Sequence, residues 1–142
     1  MAKHSFWDFQ VEIDESATEQ WYGQAEAWGC ACEHCRNFQK AVREERLPVP
    51  VREMLCSLGI PPEKATYVCC NFSDEQGLHY QFSYRIAGCI LAGHAGELVS
   101  QEWGGFRCGQ ERILWCARLP QPHFDMEFYV TLPWVRISRN ER

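Results

Sequence analysis

Near the start of the chain, Trp7, Phe9, Val11 and Ile13 alternate with Asp8, Gln10 and Glu12. This period-two pattern predicts one half-buried strand. Ser16-Ala17-Thr18-Glu19 then has the form of a capping box, in which a hydroxyl satisfies an orphan amide and a glutamate reaches back. Trp21, Ala25 and Trp28 follow at helical spacing, so the first predicted helix runs up to Gly29. A second helix is predicted from about Glu33 to Arg46, with Cys35, Phe38 and Val42 as its apolar stripe and Arg36, Lys40 and Arg43 on a separate basic face. Pro48 closes it. Val51, Met54, Leu55 and Leu58 predict a shorter third helix from Pro50 to Gly59, and Pro61 and Pro62 prevent its continuation.

Beyond this point the segments become rich in aromatic and β-branched residues. Thr66 to Phe72, Leu78 to Leu91, Arg112 to Leu119 and Phe124 to Leu132 are predicted strands. Ser73 to Gly77 reads as a hairpin turn, and Pro120-Gln121-Pro122 as a tight connection. Tyr80, Phe82, Tyr84 and Ile86 share one face, as do Phe124, Met126, Phe128, Val130 and Leu132. These apolar rows should face the helices through Trp21, Trp28, Phe38 and Leu55, leaving Asp125, Glu127 and Thr131 on the opposite side with Glu127 solvated. The predicted fold is α+β: an N-terminal strand and three short helices packed on one face of a mostly antiparallel sheet of four to five strands.

Composition narrows the class without naming a function. The 142 residues suit a single domain, 1–142, and an apolar fraction of 46% with 13% aromatics is that of a packed protein. A net charge of −5 argues against broad nucleic-acid binding and against attraction to an anionic membrane surface. The N-terminal stretch mixes charged and apolar residues, unlike an export signal, and no run approaches the roughly twenty apolar residues of a membrane span. A cytoplasmic protein is the expectation. Its nine cysteines are then expected to be reduced rather than a disulfide framework, because that compartment holds thiols reduced and an odd number cannot pair completely.

Three of those thiols carry the chemistry. Cys30, Cys32 and Cys35 lie within six residues at a predicted corner between helices. Cys32 and Cys35 have the spacing that lets two sulfurs converge on a tetrahedral zinc ion at about 2.3 Å, and Cys30 offers a third sulfur. A fourth ligand would come from His34, from a distant residue such as His94, Cys56 or Cys108, or from water. The same atoms suit a redox pair: a cysteine at a helix start is acidified by the helix dipole, with Arg36 and Lys40 adding positive charge nearby. In that reading Cys32 attacks and Cys35 or Cys30 resolves, although thioredoxin-type motifs follow a strand, whereas this one follows a helix and Gly29. A third reading leaves the cysteines purely structural, without metal. Cys69 and Cys70, adjacent in a strand, point to opposite faces, and Cys89 and Cys116 read as small core residues.

Other constellations are weaker. His79, His94 and His123 are scattered, and no serine sits in a nucleophile elbow. The basic face of Arg36, Lys40 and Arg43 reads as a solvated helix face balanced by nearby acids. The irregular stretch from Ala92 to Gln110, with five glycines, offers His94, Glu97, Trp103 and Arg107 as a candidate binding loop, while Trp103 and Phe106 around Gly104-Gly105 suit a staple onto the core.

Four stretches, CACEHCRNF, LCSLGIPPEK, GLHYQFSYRIAGCIL and FDMEFYVTLPWV, resemble a family of small uncharacterised bacterial and phage proteins. They share the C-x-C-x-x-C-R-N-F corner and the C-terminal L-P-W-V strand. The resemblance implies a common α+β fold, a bacterial or phage origin, and a shared corner of Cys30, Cys32, Cys35, Arg36 and Asn37. It implies no particular chemistry, and Cys69-Cys70 has no counterpart in it. The readings together favour a non-enzymatic domain with a zinc corner and a protein partner over a thiol enzyme or redox sensor.

Overall fold

In the computed structural model, which describes residues 1–109, 119 and 121–135, the first alternating segment is a hairpin rather than one strand. β1 (Ala2–Phe6) and β2 (Phe9–Ile13) pair antiparallel, with Phe6 opposite Phe9. Trp7 and Asp8 form the turn at φ 38° and 75°. Positive φ at both central residues is the geometry that matches strand twist in a two-residue hairpin, and it is normally signalled by Asn-Gly or Asp-Gly. Here packing supplies what the turn sequence lacks: the Trp7 ring lies 4.8 Å from Phe106 and 5.1 Å from Trp103, centroid to centroid.

The first helix, α1 (Glu15–Gln24), is shorter than the periodicity suggests, and its cap is Asp14 rather than Ser16. The Asp14 carboxylate accepts the Ala17 N–H at 3.0 Å, and extended backbone at Ala25 ends the helix before Trp28. α2 (Glu33–Arg43) buries Cys35, Phe38 and Val42 as expected and stops three residues early. α3 (Val49–Ser57) buries Val51, Met54 and Leu55, and a short 3₁₀ turn at Pro62–Lys64 leads into the sheet.

The remaining strands are β3 (Tyr67–Asp74), β4 (Gly77–Ala92), β5 (Val99–Gln101), β6 (Gly104–Gly109) and β7 (His123–Leu132). Among the described residues, seven strands form one antiparallel sheet in the order β1-β2-β4-β7-β6-β5, with β3 also on β4. That exceeds the four to five expected for two reasons. The N-terminal segment contributes two strands, and the glycine-rich stretch read as irregular contains the β5–β6 hairpin. The predicted strand Arg112 to Leu119 and Cys116 lie outside the described residues, apart from Leu119 itself.

β4 organises the sheet. One edge pairs with β7 from Leu78 to Ala87, and the other carries β3 at its start and β2 at its end. Between β3 and β2, side chains of α1 take over the edge: Thr18 Oγ1 accepts the Ala87 N–H at 3.2 Å, and the Tyr22 hydroxyl donates to the Arg85 carbonyl at 2.8 Å. Thr18 and Tyr22 are accordingly buried, so α1 closes an edge instead of lying flat on a face. Gly88, at φ 148°, admits β2, since a Cβ there would stand 2.0 Å from the Glu12 carbonyl oxygen. The sheet curls until its two end hairpins meet at Trp7 and Trp103.

The apolar rows of β4 and β7 are buried toward α2, where the Phe38 ring meets Phe82 at 5.0 Å and Phe82 stacks on Phe128 at 5.4 Å. The opposite row corrects the expectation that Glu127 is solvated: Ser83, Arg85, Asp125 and Glu127 are all buried. Their charges are paired. Arg85 Nε donates to Asp125 at 2.9 Å, and Glu127 accepts from Arg107, from the Tyr129 hydroxyl at 2.5 Å and from the Gln81 amide at 2.8 Å. A carboxylate with that many donors tolerates burial that an unpaired one would not. Among the described residues, no helix is long and apolar enough to cross a membrane.

Candidate metal centre

The extended segment after α1 is fixed before it reaches the thiols. The Trp28 N–H donates to the Glu63 carbonyl at 3.0 Å, while the Gln39 amide of α2 donates to the carbonyls of both Trp28 and Glu63 at 3.1 Å. Gln39 is 8% exposed, so these bonds are largely shielded from water. The Trp28 ring packs edge-on to Tyr67, with 6.1 Å between centroids, and its indole N–H donates to Cys35 Sγ at 3.2 Å.

Cys32 is the N-cap of α2. Its backbone is extended at φ −67° and ψ 161°, and its sulfur accepts the Cys35 N–H at 3.4 Å. A sulfur here takes the place of the usual cap oxygen and satisfies one of the orphan amides at a helix start. Cys30 and Cys32 are exposed, whereas Cys35 is 5% exposed at the base of the corner. The three sulfurs all lie within 4.8 Å of one another. Bonds of about 2.3 Å at a tetrahedral angle place sulfurs about 3.8 Å apart, so a small closure brings these three to ligand positions.

Their electrostatics differ. Burial pushes the Cys35 thiol up to about 12, and the neighbouring Cys32 and Cys30 sulfurs add to the shift against the opposing Trp28 hydrogen bond. For Cys32, partial burial works upward but is outweighed by hydrogen bonds from the Cys35 and His34 amides and from the Cys35 and Cys30 thiols, and the net direction is down. The corner therefore pairs an acidified, exposed thiol with a buried one that holds its proton.

The fourth-ligand candidates do not join the three sulfurs, which form the group by themselves among the described residues. The His34 ring lies against Trp134 at 5.6 Å, and its carbonyl accepts the Tyr80 hydroxyl at 2.6 Å. Cys56 is exposed on α3, Cys108 is fully buried in β6, and exposed His94 pairs with Glu97 at 4.0 Å. Within the candidate loop, Trp103 packs onto Trp7 and Phe128 as a staple, and Arg107 binds Glu127 and the Tyr129 hydroxyl. His94 and Glu97 remain exposed at its turn.

Asn37, which the resemblance includes in the corner, has a structural role there that no local pattern specifies. Asn37 is fully buried; its amide donates to the Pro133 carbonyl at 3.0 Å and to the Tyr80 hydroxyl at 3.3 Å, and its oxygen accepts the Val135 N–H at 2.8 Å. Elsewhere, Asp74, His79 and Thr131 form a series with 2.8 Å at each step. Phe72 stacks on His79 at 4.1 Å, and the series ties the β3–β4 turn to β7 beside a shallow cleft of about 310 Å³. Comparison with family models, curated proteins and solved structures finds no match, so the reading of the corner rests on its own geometry.

Proposed function

We propose that this is a small non-enzymatic domain whose Cys30, Cys32 and Cys35 corner holds one structural zinc ion and whose surface there meets a protein partner. The observation that carries the reading is the convergence of three sulfurs within 4.8 Å at a helix start. Soft thiolate donors suit zinc in a tetrahedral site, and the amide and indole donors to Cys32 and Cys35 are the outer hydrogen bonds that orient such ligands. A metal there would tie the extended segment after α1 to the first turn of α2. Trp134, 42% exposed beside His34, gives the same surface a large aromatic of the kind enriched at protein interfaces. Reduced thiols fit a cytoplasmic location, and the acidic net charge fits a protein rather than a nucleic-acid partner.

Metal analysis of protein purified without chelator tests the proposal. Near one equivalent of zinc is expected, with a lower melting temperature after chelation because binding is coupled to folding of the site. Less than a tenth of an equivalent of any metal ends it.

One observation favours a second reading, a thiol redox enzyme or sensor. Cys32 is exposed and acidified while Cys35 beside it is held protonated, the asymmetry expected of an attacking and a resolving thiol. It requires Cys32 to alkylate faster at neutral pH than a free model thiol. An equal or slower rate removes it.

A further inference from the structure

The geometry points to Cys70 of β3 as the fourth ligand of a closed four-thiolate site, a position it reaches by closing onto Cys30, Cys32 and Cys35, whose sulfurs group without it in this structure; this inference rests on the metal reading above. β3 runs under the corner. At one end its Tyr67 ring meets Trp28, whose indole binds Cys35. Further along, Cys70 is paired with Tyr80 of β4. Tyr80 faces α2: its ring lies 5.5 Å from Phe38, and its hydroxyl donates to the carbonyl of His34, between Cys32 and Cys35. Side chains directly opposite one another in a sheet share a face, so Cys70 projects to the same side, next to the first turn of α2.

Local detail supports the assignment. Cys70 is half-buried against the core, and its sulfur lies 3.5 Å from the Phe72 carbonyl oxygen. The register shifts between Cys70 and Phe72, and a bulge of this kind re-aims the side chains beside it. Cys69 faces the other way, paired with Gln81 on the row that carries Glu127. On coordination each thiol that is still protonated gives its proton to solvent, and four thiolates around one divalent ion leave a net charge of −2. No coordination position then remains for water or substrate, which is the closed arrangement of a structural site.

Cobalt(II) titration of the metal-free full-length protein tests this, because thiolate-to-cobalt charge-transfer absorbance grows with the number of bound sulfurs. Wild type and Cys69→Ser should give the same four-thiolate spectrum. Cys70→Ser should lose about a quarter of the charge-transfer intensity and bind at least roughly tenfold more weakly, since even outer-shell changes reach that size. As a check that does not depend on the variant folding, zinc-loaded wild type is alkylated and mapped: Cys30, Cys32, Cys35 and Cys70 should be protected and Cys69 modified. A Cys70→Ser spectrum identical to wild type, or Cys70 alkylated while the other three are protected, overturns the assignment and leaves the three-thiolate reading standing. Failure of wild type to take up either metal overturns both.

Discussion

The indole N–H of Trp28 points at the sulfur of Cys35 across 3.2 Å, a contact made by a residue outside any helix to a residue in the first turn of α2. Such a donor stabilises the thiolate that a metal requires, and it is the strongest opposing influence on a thiol that burial otherwise raises. Trp28→Phe keeps a ring against Tyr67 and removes the donor. The expected outcome is zinc or cobalt affinity lower by roughly 10- to 100-fold, with the metal-free melting temperature little changed. Competition titration against a chromogenic chelator checks it, and unchanged affinity would show that the contact is incidental.

Alkaline pH should destabilise the metal-free protein. The Cys35 thiol, ordinarily near 9.0, is pushed up to about 12 by burial, and burial also raises Cys108, Tyr80 and Tyr84. In each case the folded state holds the proton more tightly than the unfolded chain. Stability from these groups is therefore complete below pH 9 and is lost as pH rises from there through about 12. Melting temperatures measured in chelator should hold from pH 8 to about pH 9 and fall from there to pH 11. A flat profile would mean that these groups do not gain the protection their positions imply.

Elements with an unbroken period were legible in the sequence: the α2 stripe of Cys35, Phe38 and Val42, and the alternation of β4 and β7 that places Tyr80, Phe82 and Phe128 in the core. The thiol corner was legible as well, because three cysteines so close need only a turn to converge. What escaped depended on distant partners. Trp7-Asp8 turns because Trp103 and Phe106 receive the Trp7 ring. Trp28 keeps a helical spacing from Trp21 yet leaves the helix, held instead by Glu63 and Gln39. Asp125 and Glu127 alternate as solvent-facing residues do, and nothing local reveals that Arg85 is buried against Asp125 or that a partly exposed Arg107 pairs with Glu127.

That last point changes what mutations in β7 should do. Phe128→Ala truncates a fully buried ring among Phe82, Tyr84, Phe106 and Trp7, and should cost about 3–5 kcal/mol. Glu127→Gln keeps the shape but withdraws the charge that Arg107 and Tyr129 address, and should cost about 1–3 kcal/mol rather than the few tenths of a solvated position. Urea unfolding of the two variants decides it. A Glu127→Gln loss within error of zero would show that the pairing there contributes nothing to stability.

Asn37 offers the sharpest test of how the corner is anchored. Its donor side holds the Pro133 carbonyl and the Tyr80 hydroxyl, while its acceptor side holds the Val135 N–H, so one α2 side chain fixes both β4 and the segment after β7. Asn37→Asp preserves the shape and the acceptor but removes the donors, and it sets a carboxylate against the Pro133 carbonyl in a site with no exposure. The buried carboxyl should be held above the ordinary value of about 3.9, since desolvation and the facing oxygen both favour its neutral form. With the folded value raised, the variant is least compromised at pH below the unfolded value, where both states are protonated, and loses stability as pH rises toward neutrality. The deficit against wild type should therefore be larger at pH 7 than at pH 4. Tyr80→Phe, which removes one partner of the amide without adding charge, should show a smaller deficit with no such pH dependence. Chemical unfolding of the three proteins at both pH values checks the pattern, and a deficit for Asn37→Asp that is equal at pH 4 and pH 7 would place the side chain in contact with water.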